Sequence, residues 1–189
     1  MGSVLLVMGH RNTDRGNPAE MERTPLVVDA AERELRRAGH AVAVLQREDN
    51  DGDPDFSHES RAAVADRCAR LIRERGIQVM IDAHFQASST PTSGCFCIFP
   101  DGNLLDPTPP VDDSKAANPL DVAFAGKLAE EVSRQTGIPR LRLAEPGFLG
   151  GMSERQTGVG LDGDRLGMFS RTVSVRAQCV RVVMEHGDI

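Results

Sequence analysis

The sequence predicts an α/β fold in which a largely parallel sheet is covered on both faces by helices. Short apolar runs, such as Val4-Leu5-Leu6-Val7-Met8 and Val79-Met80-Ile81, alternate with longer stretches of helical periodicity. Parallel strands need a crossover between them, and helices are the usual crossover. Polar loops rich in Gly, Pro, Asn and Asp separate the segments, as turn chemistry requires.

The first strand is read at Val4–Met8, because a short continuous run of aliphatic residues suits a strand buried on both faces. Residues 9–18 form a polar loop. A helix follows over Thr24–Ala38, with Thr24 as its cap, Pro25 in its first turn and Gly39 at its end. Leu26, Ala30 or Ala31, and Leu35 supply its inward stripe. Ala41–Leu45 is the second strand, and the acidic stretch after Arg47 is a surface loop. Ser57–Arg75 reads as a helix capped by Ser57 and stopped by Gly76, with Val64, Cys68, Leu71 and Ile72 on one face. The third strand is Val79–Ala83. A Ser/Thr/Pro loop leads to the fourth strand at Cys95–Phe99. Pro100–Pro119 is an exposed proline- and aspartate-rich loop that borders the site. Leu120–Thr136 is a helix with Val122, Leu128 and Val132 inside, and Asp164–Ser170 is a short helix. Cys179–Glu185 is the last strand.

Composition narrows the function. The chain has 189 residues, 40% of them hydrophobic, which fits a single domain over residues 1–189. A formal net charge of -6 argues against a general nucleic-acid binder. No apolar stretch approaches the roughly 20 residues that span a bilayer. The N-terminus enters a strand directly, without the pattern of a secretory signal. The expectation is therefore a protein that is cytoplasmic as synthesised, or one that has lost its leader. Cys68, Cys95, Cys97 and Cys179 read as reduced, buried thiols. Cys95 and Cys97 share one strand face and are poorly placed to bridge each other.

Open parallel sheets bind ligands outside the carboxyl ends of their strands. His10, His84 and Glu185 each close an apolar run, and Glu20 lies in the loop before the first helix. Distant in sequence, they should gather at one edge of the sheet. Zinc takes imidazole and carboxylate donors, and its catalytic sites use three protein ligands plus water. His10, Glu20 and His84 form such a set, with Glu22 an alternative to Glu20. Glu185 is the candidate catalytic carboxylate, accepting a proton from water and passing it to a leaving amine. Asp82 lies two residues before His84 on the same strand face. It is either an outer partner of that ligand or a strand-end carboxylate. His40 and His58 read as structural, and His186 points away from Glu185 if the strand continues. No Gly-x-Ser-x-Gly elbow or phosphate-binding Gly-Lys-Ser/Thr loop occurs.

At these residues the chain resembles the zinc-dependent N-acetylmuramoyl-L-alanine amidases of the Amidase_3 type. That family opens with a strand ending in Gly-His, matched by Met8-Gly9-His10, followed by a metal-binding glutamate before a helix, matched best by Glu20. Its Ser-Ile-His-Ala-Asn corresponds to Asp82-Ala83-His84-Phe85-Gln86. Its Ser-Gly before a strand corresponds to Ser93-Gly94-Cys95, and its final glutamate to the end of Val182-Val183-Met184-Glu185. The resemblance runs through nearly the whole chain, in order. It implies a three-layer sandwich with a mostly parallel sheet of about six strands, one zinc ion, and cleavage between N-acetylmuramic acid and L-alanine in peptidoglycan.

The chain departs from the family at Arg11-Asn12, where Gly-Gly is usual, at Asp82, where serine is usual, and at Gln86, where asparagine is usual. After Glu185 the chain reads His186-Gly187-Asp188-Ile189 in place of Gly-Phe-x-Ser-Asn. A phage-type lysin, released to the wall through membrane lesions, fits this reading. The alternative is a related zinc amidohydrolase or carboxypeptidase-like enzyme acting on small N-acyl amino acids or peptides. Arg142, Arg155 or Arg165 would then pair with the substrate carboxylate. A third reading is a binding module that kept the fold without the chemistry.

Overall fold

The computed structural model describes residues 1–8, 18–46, 61–86, 94–99, 119–140 and 172–188. In chain order these form β1 (Ser3–Met8), α1 (Pro18–Arg37), β2 (Ala41–Leu45), α2 (Arg61–Arg75), β3 (Val79–Gln86), β4 (Phe96–Ile98), α3 (Pro119–Thr136), a 3-10 turn at Val173–Val175 and β5 (Val180–Asp188).

The described strands form one sheet of five, in the order β2-β1-β3-β5-β4. The β1–β2, β1–β3 and β3–β5 pairs are parallel, and edge strand β4 runs antiparallel to β5. The mostly parallel α/β sandwich expected from the sequence is therefore present, with five described strands rather than about six.

Apolar residues fill both sides of the sheet. On one side Val4, Leu6 and Met8 of β1 meet Val28 of α1, and Val182 and Met184 of β5 meet Ala125 and Ala129 of α3. On the other, Leu5, Val7 and Met80 meet Val64, Cys68 and Ile72 of α2. The strands alternate inside to inside, as expected when both faces are covered. All four cysteines are buried and outside any disulfide, as expected.

The first helix departs from the sequence reading. It begins at Pro18, six residues before Thr24. Pro18 takes the first helical position, where a missing N–H is tolerated, and Pro25 lies inside the helix. Thr24 is no cap; it is fully buried, and its Oγ1 has no hydrogen-bond partner among the described residues. The inward stripe runs Glu20, Thr24, Val28, Ala31 and Leu35, at the i+3 and i+4 steps of one helix face. Leu26 falls off that stripe and is 69% exposed. The helix ends as expected: Gly39 takes φ 86, and His40 N–H closes back on the Leu35 carbonyl.

Strands β3 and β5 extend past the predicted ends, to Gln86 and Asp188. His84, read just past the third strand, and Glu185, read as the final residue of the last one, both lie inside their strands. Polar side chains interrupted the apolar pattern on which the boundaries were drawn, while the main-chain ladder continues. The helix read at Asp164–Ser170, the cap at Ser57 and the loop at Pro100–Pro119 lie outside the described residues.

A buried ion pair was missed from sequence. Arg181 N–H donates to Asp121 Oδ1 at 2.9 Å, and Arg181 Nη2 lies 3.7 Å from Asp121 Oδ2. Arg181 Nη1 also donates to Thr172 Oγ1 at 3.2 Å. The pair fastens the start of α3 to the start of β5, away from the carboxyl edge of the sheet. Burial pulls the Arg181 pKa down, against the opposing charge of Asp121.

Candidate functional site

Helix α1 returns from the carboxyl ends of the central strands, so its first turn lies at the rim where the site was expected. There the inward stripe delivers Glu20. Glu20 is 4% exposed, and its Oε1 lies 3.2 Å from His84 Nδ1. The same oxygen accepts the Phe85 N–H at 3.1 Å. Glu20 thus stands in the first helical turn and not in a loop, held by the main chain of β3. Glu22, the alternative raised by the sequence, is exposed. Side chains two positions apart on a helix do not share a face.

His84 pairs with Glu185 in the β3–β5 register. Paired residues of a parallel ladder project to the same side, so imidazole and carboxylate emerge as neighbours. Asp82 lies on that side too, by strand alternation. Its Oδ2 is 3.3 Å from His84 Nε2. One imidazole therefore has a carboxylate at each ring nitrogen and a third on the next strand.

The electrostatics follow from that crowding. Burial alone would lower the His84 pKa. The charge and hydrogen bond of Asp82, with Glu20 and Glu185 adding, override burial and hold the ring well above its ordinary value. Burial raises Glu185 to about 7; the His84 charge works against this, while Glu20 and Asp82 reinforce it. Glu185 is half-buried as a residue, yet its Oε2 is shut from solvent and has no hydrogen-bond partner among the described residues. Asp82 Oδ1 is buried in the same way.

His186 projects from the other side of β5, as expected for a continuing strand. Its ring centroid is 5.4 Å from that of Phe85. Burial, with the His84 charge second, lowers its pKa to about 4, so it is a neutral packing residue at ordinary pH.

His10 lies outside the described residues, as do Arg142, Arg155 and Arg165. β1 ends at Met8, which pairs with Ala83 beside His84. Among the described residues, no group of three or more His, Cys, Asp or Glu is placed to hold a metal ion. The described part of the site is thus a His84–Glu20 donor pair with Asp82 and Glu185 around it. No described helix is long and apolar enough to cross a membrane.

No family model matches the sequence, and no curated protein matches it. Solved structures do. The catalytic domain of CwlV, an N-acetylmuramoyl-L-alanine amidase from Bacillus (Paenibacillus) polymyxa var. colistinus, is similar at 13% identity with a TM-score of 0.57; the match spans 100% of this chain and 81% of that one. The catalytic domain of the CD27L endolysin targeting Clostridia difficile is similar at 11% identity and a TM-score of 0.61, over 100% and 82% of the two chains. The N-acetylmuramyl-L-alanine amidase Ami1 from Mycobacterium smegmatis is similar at 16% identity and a TM-score of 0.60, over 99% and 82%. The fold of this chain is that of the N-acetylmuramoyl-L-alanine amidase catalytic domains.

Proposed function

We propose that the chain is a zinc-dependent amide hydrolase that cleaves the bond between N-acetylmuramic acid and L-alanine in peptidoglycan. The observation that carries the reading is the position of His84: Glu20 touches one ring nitrogen, and Glu185 is its partner on the next strand. The shared fold supports the same activity.

The donors suit the metal. Two donors at about 2.0–2.1 Å from one tetrahedral zinc lie about 3.3 Å apart, close to the 3.2 Å between Glu20 Oε1 and His84 Nδ1. The buried, unpartnered Oε2 of Glu185 is what a site that receives a polar ligand would leave. Glu20 and His84 would hold the ion, with His10 completing the set. Bound zinc supplies Lewis acidity and lowers the pKa of coordinated water toward 7.

The chain's own residues do the rest. The Phe85 N–H fixes the Glu20 carboxylate, so this ligand does not have to be ordered on binding. Glu185, raised to about 7 by burial, exchanges a proton readily near neutral pH. It takes the proton of the attacking water and delivers it to the departing amine of L-alanine. Its strand backbone limits where that carboxylate can go.

Digestion of purified muropeptides alongside N-acyl amino acids tests the assignment. Release of L-alanyl peptides from muropeptides alone supports it. Turnover of N-acyl amino acids alone would move the enzyme to the small-molecule amidohydrolases, and turnover of neither would contradict catalysis.

A further inference from the structure

We infer that Asp82 is a positioning residue for the metal site: it holds His84 by Nε2 so that Nδ1 faces the ion. This rests on the zinc reading above and adds a residue to it. An imidazole ligates through one nitrogen, and the hydrogen bond made by the other selects the tautomer and orients the ring. In this chain the two nitrogens face different carboxylates, Glu20 at 3.2 Å from Nδ1 and Asp82 at 3.3 Å from Nε2. Glu20 comes from a separate element, α1, and faces Nδ1, which makes Nδ1 the nitrogen shared with the ion. Nε2–H then donates to Asp82 Oδ2.

The surroundings of Asp82 favour this role over a structural one. The residue is 5% exposed, and Oδ1 is buried with no hydrogen-bond partner among the described residues. A buried carboxylate with an unsatisfied oxygen works against folding. Its neighbours on the same strand face are not salt-bridging cations but Met80 and His84. Within this set, what Asp82 does is grip His84.

The two roles predict effects of opposite sign in Asp82→Leu, which keeps the branching of the side chain and removes the unsatisfied oxygen. With the full chain, zinc affinity is read by competition with a chromophoric chelator, and cobalt(II) substitution reports ligand geometry by its visible absorption. The expected result is a variant at least as stable as wild type that still binds one zinc, with affinity reduced roughly 10–100-fold and an altered cobalt band. Asp82→Asn, which retains an oxygen able to accept Nε2–H, should recover part of that loss.

Wild-type affinity and an unchanged cobalt band in folded Asp82→Leu would overturn the inference. If Asp82→Leu fails to fold, Asp82→Asn decides: unchanged affinity and an unchanged band overturn it, and weakened affinity with a shifted band sustains it. A wild-type chain that takes up no zinc would instead remove the zinc reading itself, so the two failures are distinguishable.

Discussion

His84 and Glu185 stand opposite each other across the β3–β5 pair, the last step of a parallel register that runs regularly from Val79–Val180 and shifts between His84 and Gln86. That register presents the imidazole and the carboxylate side by side without any loop having to fold correctly. In the proposed function it divides the labour between two strands: one side chain to hold an ion, the other to move a proton.

Glu185→Gln should separate those roles. The amide preserves shape but takes up no proton. Turnover of muropeptides should fall about 10²–10⁴-fold, the usual worth of a general acid–base group, while zinc content stays at the wild-type level. Metal analysis and product release on the same preparation check this.

Glu20→Gln should do the reverse. Its oxygen still accepts the Phe85 N–H, so the fold persists, but the anionic donor beside His84 Nδ1 is gone. Zinc affinity should drop by more than the roughly 10–100-fold typical of an outer partner. Exposed Glu22→Gln is the control and should bind as wild type does. Equilibrium dialysis distinguishes the pair.

The half-buried His186 ring makes stability fall in acid. Its pKa is lowered from an ordinary 6.5 to about 4, so the unfolded chain takes up the proton more readily than the folded one. The contribution is fully present above pH 6.5 and is lost as pH falls toward 4. The span corresponds to about 3 kcal/mol. Urea unfolding of wild type and His186→Gln between pH 7 and 4 should show the wild-type curve falling more steeply.

Asp121→Ala should damage the fold and not the site. It leaves the buried Arg181 guanidinium without its carboxylate, a loss of about 3–5 kcal/mol for a pair of this kind. Replacing both partners, with Arg181→Met added, should recover much of that, since the desolvated charge goes as well. Denaturant midpoints of the single and double variants test the coupling.

The sheet was legible because its strands are short, aliphatic and regularly spaced with helices, and that pattern survives single errors. Boundaries were less legible, for a shared reason. His84, Gln86, Glu185 and Asp188 are polar, so the apolar run ends before the strand does. The start of α1 was misplaced because Thr24-Pro25 imitates a cap and first turn. The real first residue, Pro18, is followed by Ala19 and Glu20, where the inward position belongs to a carboxylate rather than an aliphatic residue.

The convergence of His84, Glu20 and Glu185 was readable from residue type and position. The grip of Asp82 on Nε2 required distances, and the Arg181–Asp121 pair joins residues 60 apart that carry no shared motif.

The most direct measurement is muropeptide hydrolysis by one preparation before chelation, after chelation, and after zinc is returned. Loss of L-alanyl peptide release on chelation, with recovery near one equivalent of zinc, is the predicted result. Full hydrolysis by the metal-free protein, or none by protein carrying a full equivalent of zinc, would contradict it.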